Sequence, residues 1–180
     1  MAAEKLDETA MINLLEAGAD PNMTDLNGET PLIAAIRSNP SPNNLNILLD
    51  YGAEPNKTTK YGDAPLHFAA MNNNYASERV VQVLIDAGAD LNMANIMGMT
   101  PLHKAAQYGR EEVVKLMIDS GADQNKTNDE GKTPLDLAPE NDRQQVVNIL
   151  TGEGPPLQPR RNRMRVRFPR INFSWGSLRL

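Results

Sequence analysis

The chain repeats itself, and that limits what it can fold into more than any other property. Prolines that open a near-identical phrase fall at Pro31, Pro65, Pro101 and Pro134, at steps of 34, 36 and 33 residues. Gly-Ala-Asp or Gly-Ala-Glu phrases begin at Gly18, Gly52, Gly88 and Gly121 with the same steps, as does the glycine series Gly28, Gly62, Gly98 and Gly131. From each Gly-Ala to the next proline is always 13 residues, so the period varies only between the proline and the following Gly-Ala. A unit this small cannot bury its own apolar stripe, and neighbouring units must stack to cover it.

The third unit shows what each copy builds. Thr100 supplies an N-cap oxygen, and Pro101 sits at the first helical position, where its missing N–H costs nothing. Ala105 and Ala106 are small enough for a second helix to come close, and Gly109 can take the left-handed conformation that ends the first helix. Val113, Val114, Leu116, Met117 and Ile118 then form an apolar stripe at helical spacing. Gly121 ends that helix, and Gly98 permits a tight turn between two short extended pieces. The unit is therefore helix, turn, helix and projecting hairpin. In the second full unit Ala64 stands where Thr100 caps, which predicts a weaker helix start unless Asp63 substitutes.

These phrases resemble the ankyrin repeat. Thr100-Pro101-Leu102-His103-Lys104-Ala105-Ala106 and Ser120-Gly121-Ala122-Asp123-Gln124-Asn125 follow that family's pattern almost position for position, and the match covers roughly residues 1–154. The expected fold is an all-α ankyrin repeat solenoid. It has a partial first repeat at 1–22 and full repeats at about 25–56, 59–92, 95–125 and 128–154. Extra residues around Ser38–Pro42 and Met71–Tyr75 should bulge as loops at the end opposite the hairpins. Thr133-Pro134-Leu135-Asp136-Leu137-Ala138 resembles a last-repeat variant, with Glu140-Asn141-Asp142-Arg143 as a polar edge. Ala2 and Ala3 align with Ala105 and Ala106, so the first repeat begins inside its own first helix. That should leave Met11, Leu14 and Leu15 poorly covered, which favours a start within a longer chain over a unit truncated by design.

Charge divides the chain. Residues 1–150 carry 11 Lys+Arg against 22 Asp+Glu, a balance of −11, whereas 151–180 carry seven Arg against Glu153 alone, a balance of +6. Gly152-Glu153-Gly154-Pro155-Pro156 breaks any helix that reaches it. The expectation is a repeat domain over 1–154 followed by a disordered basic tail over 155–180. Zero cysteines exclude disulfides and thiolate metal sites and suit a cytoplasmic or nuclear location. No apolar run approaches the roughly 18 residues that span a bilayer.

Little in the sequence suggests catalysis. His67 and His103 are the only histidines and occupy the same position of the proline phrase; the resemblance implies that they hydrogen-bond backbone in the turn. No metal set, nucleophile–base arrangement or Walker-type phosphate loop is present. The expected protein is a non-enzyme with no cofactor, monomeric, binding a protein partner. Asn22, Asn56 and Asn125 begin sequons that belong to the repeat's own hairpin chemistry. The resemblance places partners across hairpin tips and the exposed side of first helices. There the second repeat offers Tyr61 and Met71, and the third offers Ile96, Met97, Met99, Gln107 and Tyr108. Apolar side chains at such positions suit an interface centre.

The tail alternates arginine with other residues at period two, which favours an extended strand. Arg165-Val166-Arg167-Phe168 and Arg170-Ile171-Asn172-Phe173 each resemble the basic–aliphatic–any–aromatic motif that docks regulatory subunits on type-1 protein phosphatase. Val166 with Phe168, and Ile171 with Phe173, would point to one side of a strand added to a sheet edge. A solvated tail, a phosphatase-targeting tail and a nucleic-acid-binding tail are the competing readings, nucleic acid being the less favoured partner. A fragment of a larger enzyme or channel is a further alternative.

Overall fold

The computed structural model describes residues 2–38, 41–72, 77–138 and 143–152. Parts of both expected loop insertions, the segment 139–142 and the tail with Val166, Phe168, Ile171 and Phe173 lie outside the described residues. The described residues form nine α-helices and no strand: α1 (Ala2–Glu16), α2 (Pro31–Ser38), α3 (Pro42–Asp50), α4 (Pro65–Met71), α5 (Ser77–Asp86), α6 (Pro101–Gln107), α7 (Glu111–Asp119), α8 (Pro134–Leu137) and α9 (Arg143–Thr151). The all-α expectation holds.

Two helical layers run along the stack. The first helices pack in the order α2, α4, α6, α8 and the second helices in the order α1, α3, α5, α7, α9. Each first helix also meets its own second helix, as α4 meets α5 and α6 meets α7. The alanine pairs explain the close approach, since Ala69, Ala70, Ala105 and Ala106 are fully buried between the layers. Leu32, Leu66 and Leu102 repeat at one position of the inner layer and are all buried, while Leu48, Leu84 and Met117 repeat at one position of the outer layer. Burying each such side chain is worth about 1.5–3 kcal/mol.

Helix starts follow the local chemistry. Thr30, Thr100 and Thr133 each accept a hydrogen bond from the backbone N–H three residues on, at 3.3–3.4 Å. At α4 the cap position is Ala64, which has no oxygen to offer. Asp63 does not substitute, because its carboxylate accepts from the Asn95 amide at 2.8 Å. Half of the capping arrangement survives: the Ala64 N–H donates to His67 Nδ1 at 3.1 Å.

The N-terminal unit departs from expectation. Where the other units turn, as at Gly109 with φ of 61°, α1 continues without a break. Leu6 stands at the position aligned with Gly109, and an L-residue there favours continuing the helix over adopting a positive φ. Among the described residues the unit is thus one long second helix with no first helix beside it.

Candidate protein-binding surface

The hairpins are built by one residue per repeat. Asn95 Oδ1 accepts from the N–H groups of Met97 and Met99, both at 3.0 Å, and Asn128 Oδ1 likewise accepts from Glu130 and Lys132. Asp25 Oδ1 does the same for Asn27 and Glu29 at 2.8 Å, and these backbone donors hold its carboxyl below the usual range, led by the Glu29 N–H. Gly98 completes the turn with φ of 70°.

The tips then join one another. Lys60 N–H donates to the Asn27 carbonyl at 3.0 Å, Ile96 to Tyr61 at 3.1 Å and Asp129 to Met97 at 3.1 Å. A continuous edge results, on which Tyr61, Ile96 and Met97 are neighbours along the row. All three are exposed, Ile96 at 65%. The Lys60 ammonium lies 5.1 Å from the Tyr61 ring centroid. Lys132 and Glu130 close the far end as an ion pair at 2.7 Å.

Not every residue expected on this surface reaches it. Met99 was expected to be exposed but is only 4% accessible, its sulfur taking a 3.5 Å hydrogen bond from the Asn128 amide. The third repeat's hairpin folds back over its own helix start, and the next hairpin covers the other side. Gln107 and Tyr108 are exposed, but at the far end of α6, about 10 Å of helix from its N-terminus and the tips. Met71 is half-buried at the corresponding end of α4. The sites thus form one tip group, with Tyr61, Ile96 and Met97, and one helix-end group, with Met71, Gln107 and Tyr108. Sequence reasoning passed over Phe68, which is half-buried on α4 with the Arg37 guanidinium 5.8 Å from its ring centroid. Its alignment with the partly exposed Lys104 was the available signal. Arg37 also pairs with Glu29.

His67 and His103 are fully buried junction pieces. His67 accepts from Ala64 N–H at Nδ1 and donates from Nε2 to the Met99 carbonyl of the next repeat at 2.9 Å. His103 accepts from Thr100 N–H at 3.1 Å and donates to the Lys132 carbonyl at 3.1 Å. Burial is the main reason both imidazoles titrate below their ordinary value, against the opposing pull of those carbonyls and, for His67, of Asp63. A lowered folded-state value means that stability is complete above the unfolded-state value near 6.5 and falls as pH drops below it. The loss is at most about 1.4 kcal/mol per pH unit for each histidine. Urea unfolding at pH 7.5 and 5.5 should show this loss, and His103→Gln should reduce it; an unchanged pH slope in that variant would refute the assignment.

Among the described residues, no group of three or more His, Cys, Asp or Glu could hold a metal ion, and no helix is long and apolar enough to cross a membrane. The geometry defines a class: a stack of helix-pair repeats joined through buried histidines and an edge of linked hairpin tips. A family model described as ankyrin repeats, in three copies, matches residues 1–95 and 74–159. The chain belongs to the ankyrin repeat family, whose domains are generally protein–protein interaction modules and typically non-catalytic. No curated protein matches the chain.

Proposed function

We propose that this protein is a non-catalytic binding module whose partner protein docks on the hairpin tips of the second and third repeats. The carrying observation is the run of exposed Tyr61, Ile96 and Met97 on adjoining, hydrogen-bonded tips. The framework holds these side chains in place without needing them for its core, so their apolar surface is available to a partner. Backbone bonds between tips also fix their spacing, which lowers the ordering cost of binding. Flanking Lys60, Asp129 and Glu130 supply a polar rim of mixed sign.

Met97→Ala and Tyr61→Ala should each weaken binding to a partner recovered by pull-down by about 1–2 kcal/mol while leaving helicity unchanged. Calorimetric titration checks this, and unchanged affinity in both variants refutes the tip surface. The tail reading is a separate proposal: residues 159–175 dock on type-1 protein phosphatase through Val166, Phe168, Ile171 and Phe173. Its support is the pair of motif matches alone. A peptide of those residues that binds the phosphatase equally well after both Phe168→Ala and Phe173→Ala would show that the arginines act nonspecifically.

A further inference from the structure

The outward side of the second helices carries more negative charge than the fold neutralises. The helices α1, α3, α5 and α7 each end on an acid, at Glu16, Asp50, Asp86 and Asp119. Acids there oppose the helix macrodipole, and the last turn of these helices holds no basic residue to offset them. Asp20, Glu54, Asp90 and Asp123 repeat four residues further on and form a second column along the stack. All eight are exposed, and none is ion-paired among the described residues. Turn bonds from the N–H two residues on engage one oxygen each of Asp20, Asp90 and Asp123.

On the same side, α9 carries a second and independent mark of an occupant. Asn148 lies two residues, about 200° of helix, from both Val146 and Leu150, which belong to the core cluster. It therefore points away from the core, at the repeat position of Asn46, Gln82 and Lys115, all of which are exposed. Asn148 itself is only 7% exposed. Its Oδ1 accepts from the Gln144 amide at 2.9 Å, while its Nδ2 has no partner among the described residues. A shielded amide donor calls for an acceptor, and a main-chain carbonyl lying across α9 supplies one.

We propose that the outward side of α5, α7 and α9 is the docking site of the chain's own arginine-rich segment, residues 157–170. The charges are complementary, −11 over residues 1–150 against +6 over 151–180. The segment also starts in the right place: Gly152 and Pro156 hold the repeat positions of Asp119 and Asp123, so it follows directly on the end of both acid columns. Packed helices lie about 10 Å apart and extended chain advances about 3.3 Å per residue, so the segment is long enough to cross α9, α7 and α5. In an extended strand Arg161, Arg163, Arg165 and Arg167 share one side at spacings of about 7 Å, a row of guanidinium forks for the carboxylates. Met164, Val166 and Phe168 then face away from the acids, so the contact does not draw on the residues of the docking motif. The first carbonyls of the segment meet Asn148 Nδ2. Exposed ion pairs are screened by salt, so the contact opens as ionic strength rises.

The chain has no cysteine, so Met164→Cys gives a single site for a nitroxide spin label in the full protein. At low salt the label should broaden the amide resonances of Gln82, Lys115 and Asn148 and leave those of Tyr61, Ile96 and Met97 sharp. The broadening should be lost in about 0.5 M salt. Asp86→Asn combined with Asp119→Asn, at exposed helix ends, should leave the circular dichroism spectrum unchanged and abolish the broadening. Arg163→Gln combined with Arg165→Gln should abolish it as well and shift the side-chain amide resonance of Asn148, whereas Phe168→Ala should do neither. Broadening that is absent at low salt, is centred on the tips, survives the Asp86 and Asp119 substitutions or depends on Phe168 overturns the proposal.

Discussion

Leu84→Ala is expected to destabilise the protein by about 3 kcal/mol, within the roughly 2–5 kcal/mol typical of buried leucines. Leu84 is fully buried on α5, between the two helical layers, in the same packed cluster as Leu66 and Leu102. Removing its isopropyl group loses the transfer energy and leaves a cavity that the neighbouring helices, held by tip and histidine bonds, cannot collapse. The same substitution at the aligned Leu14 should cost well under about 1 kcal/mol, because most of that side chain is already in water. Urea unfolding of both variants gives the comparison. Similar losses would mean that the N-terminal position is covered, and the missing-helix account would fail with it.

Gly98→Ala should be the most damaging of the hairpin substitutions. Its φ of 70° costs an L-residue about 1–2 kcal/mol before any contact is considered. A Cβ there would also lie 2.7 Å from the Asp129 N and 3.0 Å from the Asn128 Cα, both backbone atoms of the next hairpin. The tip junction must open, with loss of the Asp129–Met97 bond, and the total should reach about 3 kcal/mol. Gly88→Ala shares the conformational problem, with φ of 84°, but a Cβ there meets nothing within 4 Å. It should cost only the conformational share, about 1–2 kcal/mol. Thermal unfolding distinguishes the two, and equal losses would rule out crowding at the tips.

The two glycines illustrate how the chain could be read. Gly109 was expected to take the left-handed conformation, Gly98 to turn the chain and Gly121 to end a helix, and all three have positive φ. The reason Gly98 tolerates no side chain lies in the following hairpin, 30 residues on, and no local pattern reports that distance. The turn role of His67 and His103 was implied by their position in the proline phrase. Their donation to the next repeat depends on the stacking distance between units. Ala64 was recognised as a missing cap, yet the group that serves the Ala64 N–H is His67, and Asp63 is drawn away by Asn95 from the neighbouring unit.

Exposure was harder to read than framework. Ile96, Met97 and Met99 are apolar residues within four positions of one hairpin, and local sequence does not distinguish them. Two project into solvent, while Met99 points back against Asn128. Likewise Leu14 stands at the same repeat position as Leu84, but among the described residues its helix packs on α3 without a first helix of its own unit beside it.

The amino-acid sequence by itself determined the period, the helix starts and stops, and hence the all-α stack, because caps, prolines and glycines act within a few residues of where they stand. The tertiary structure decided which apolar side chains are core and which are surface, and which polar groups remain unclaimed. Burial in a stack depends on the unit on either side, so identical residues at identical repeat positions differ once one neighbour is missing.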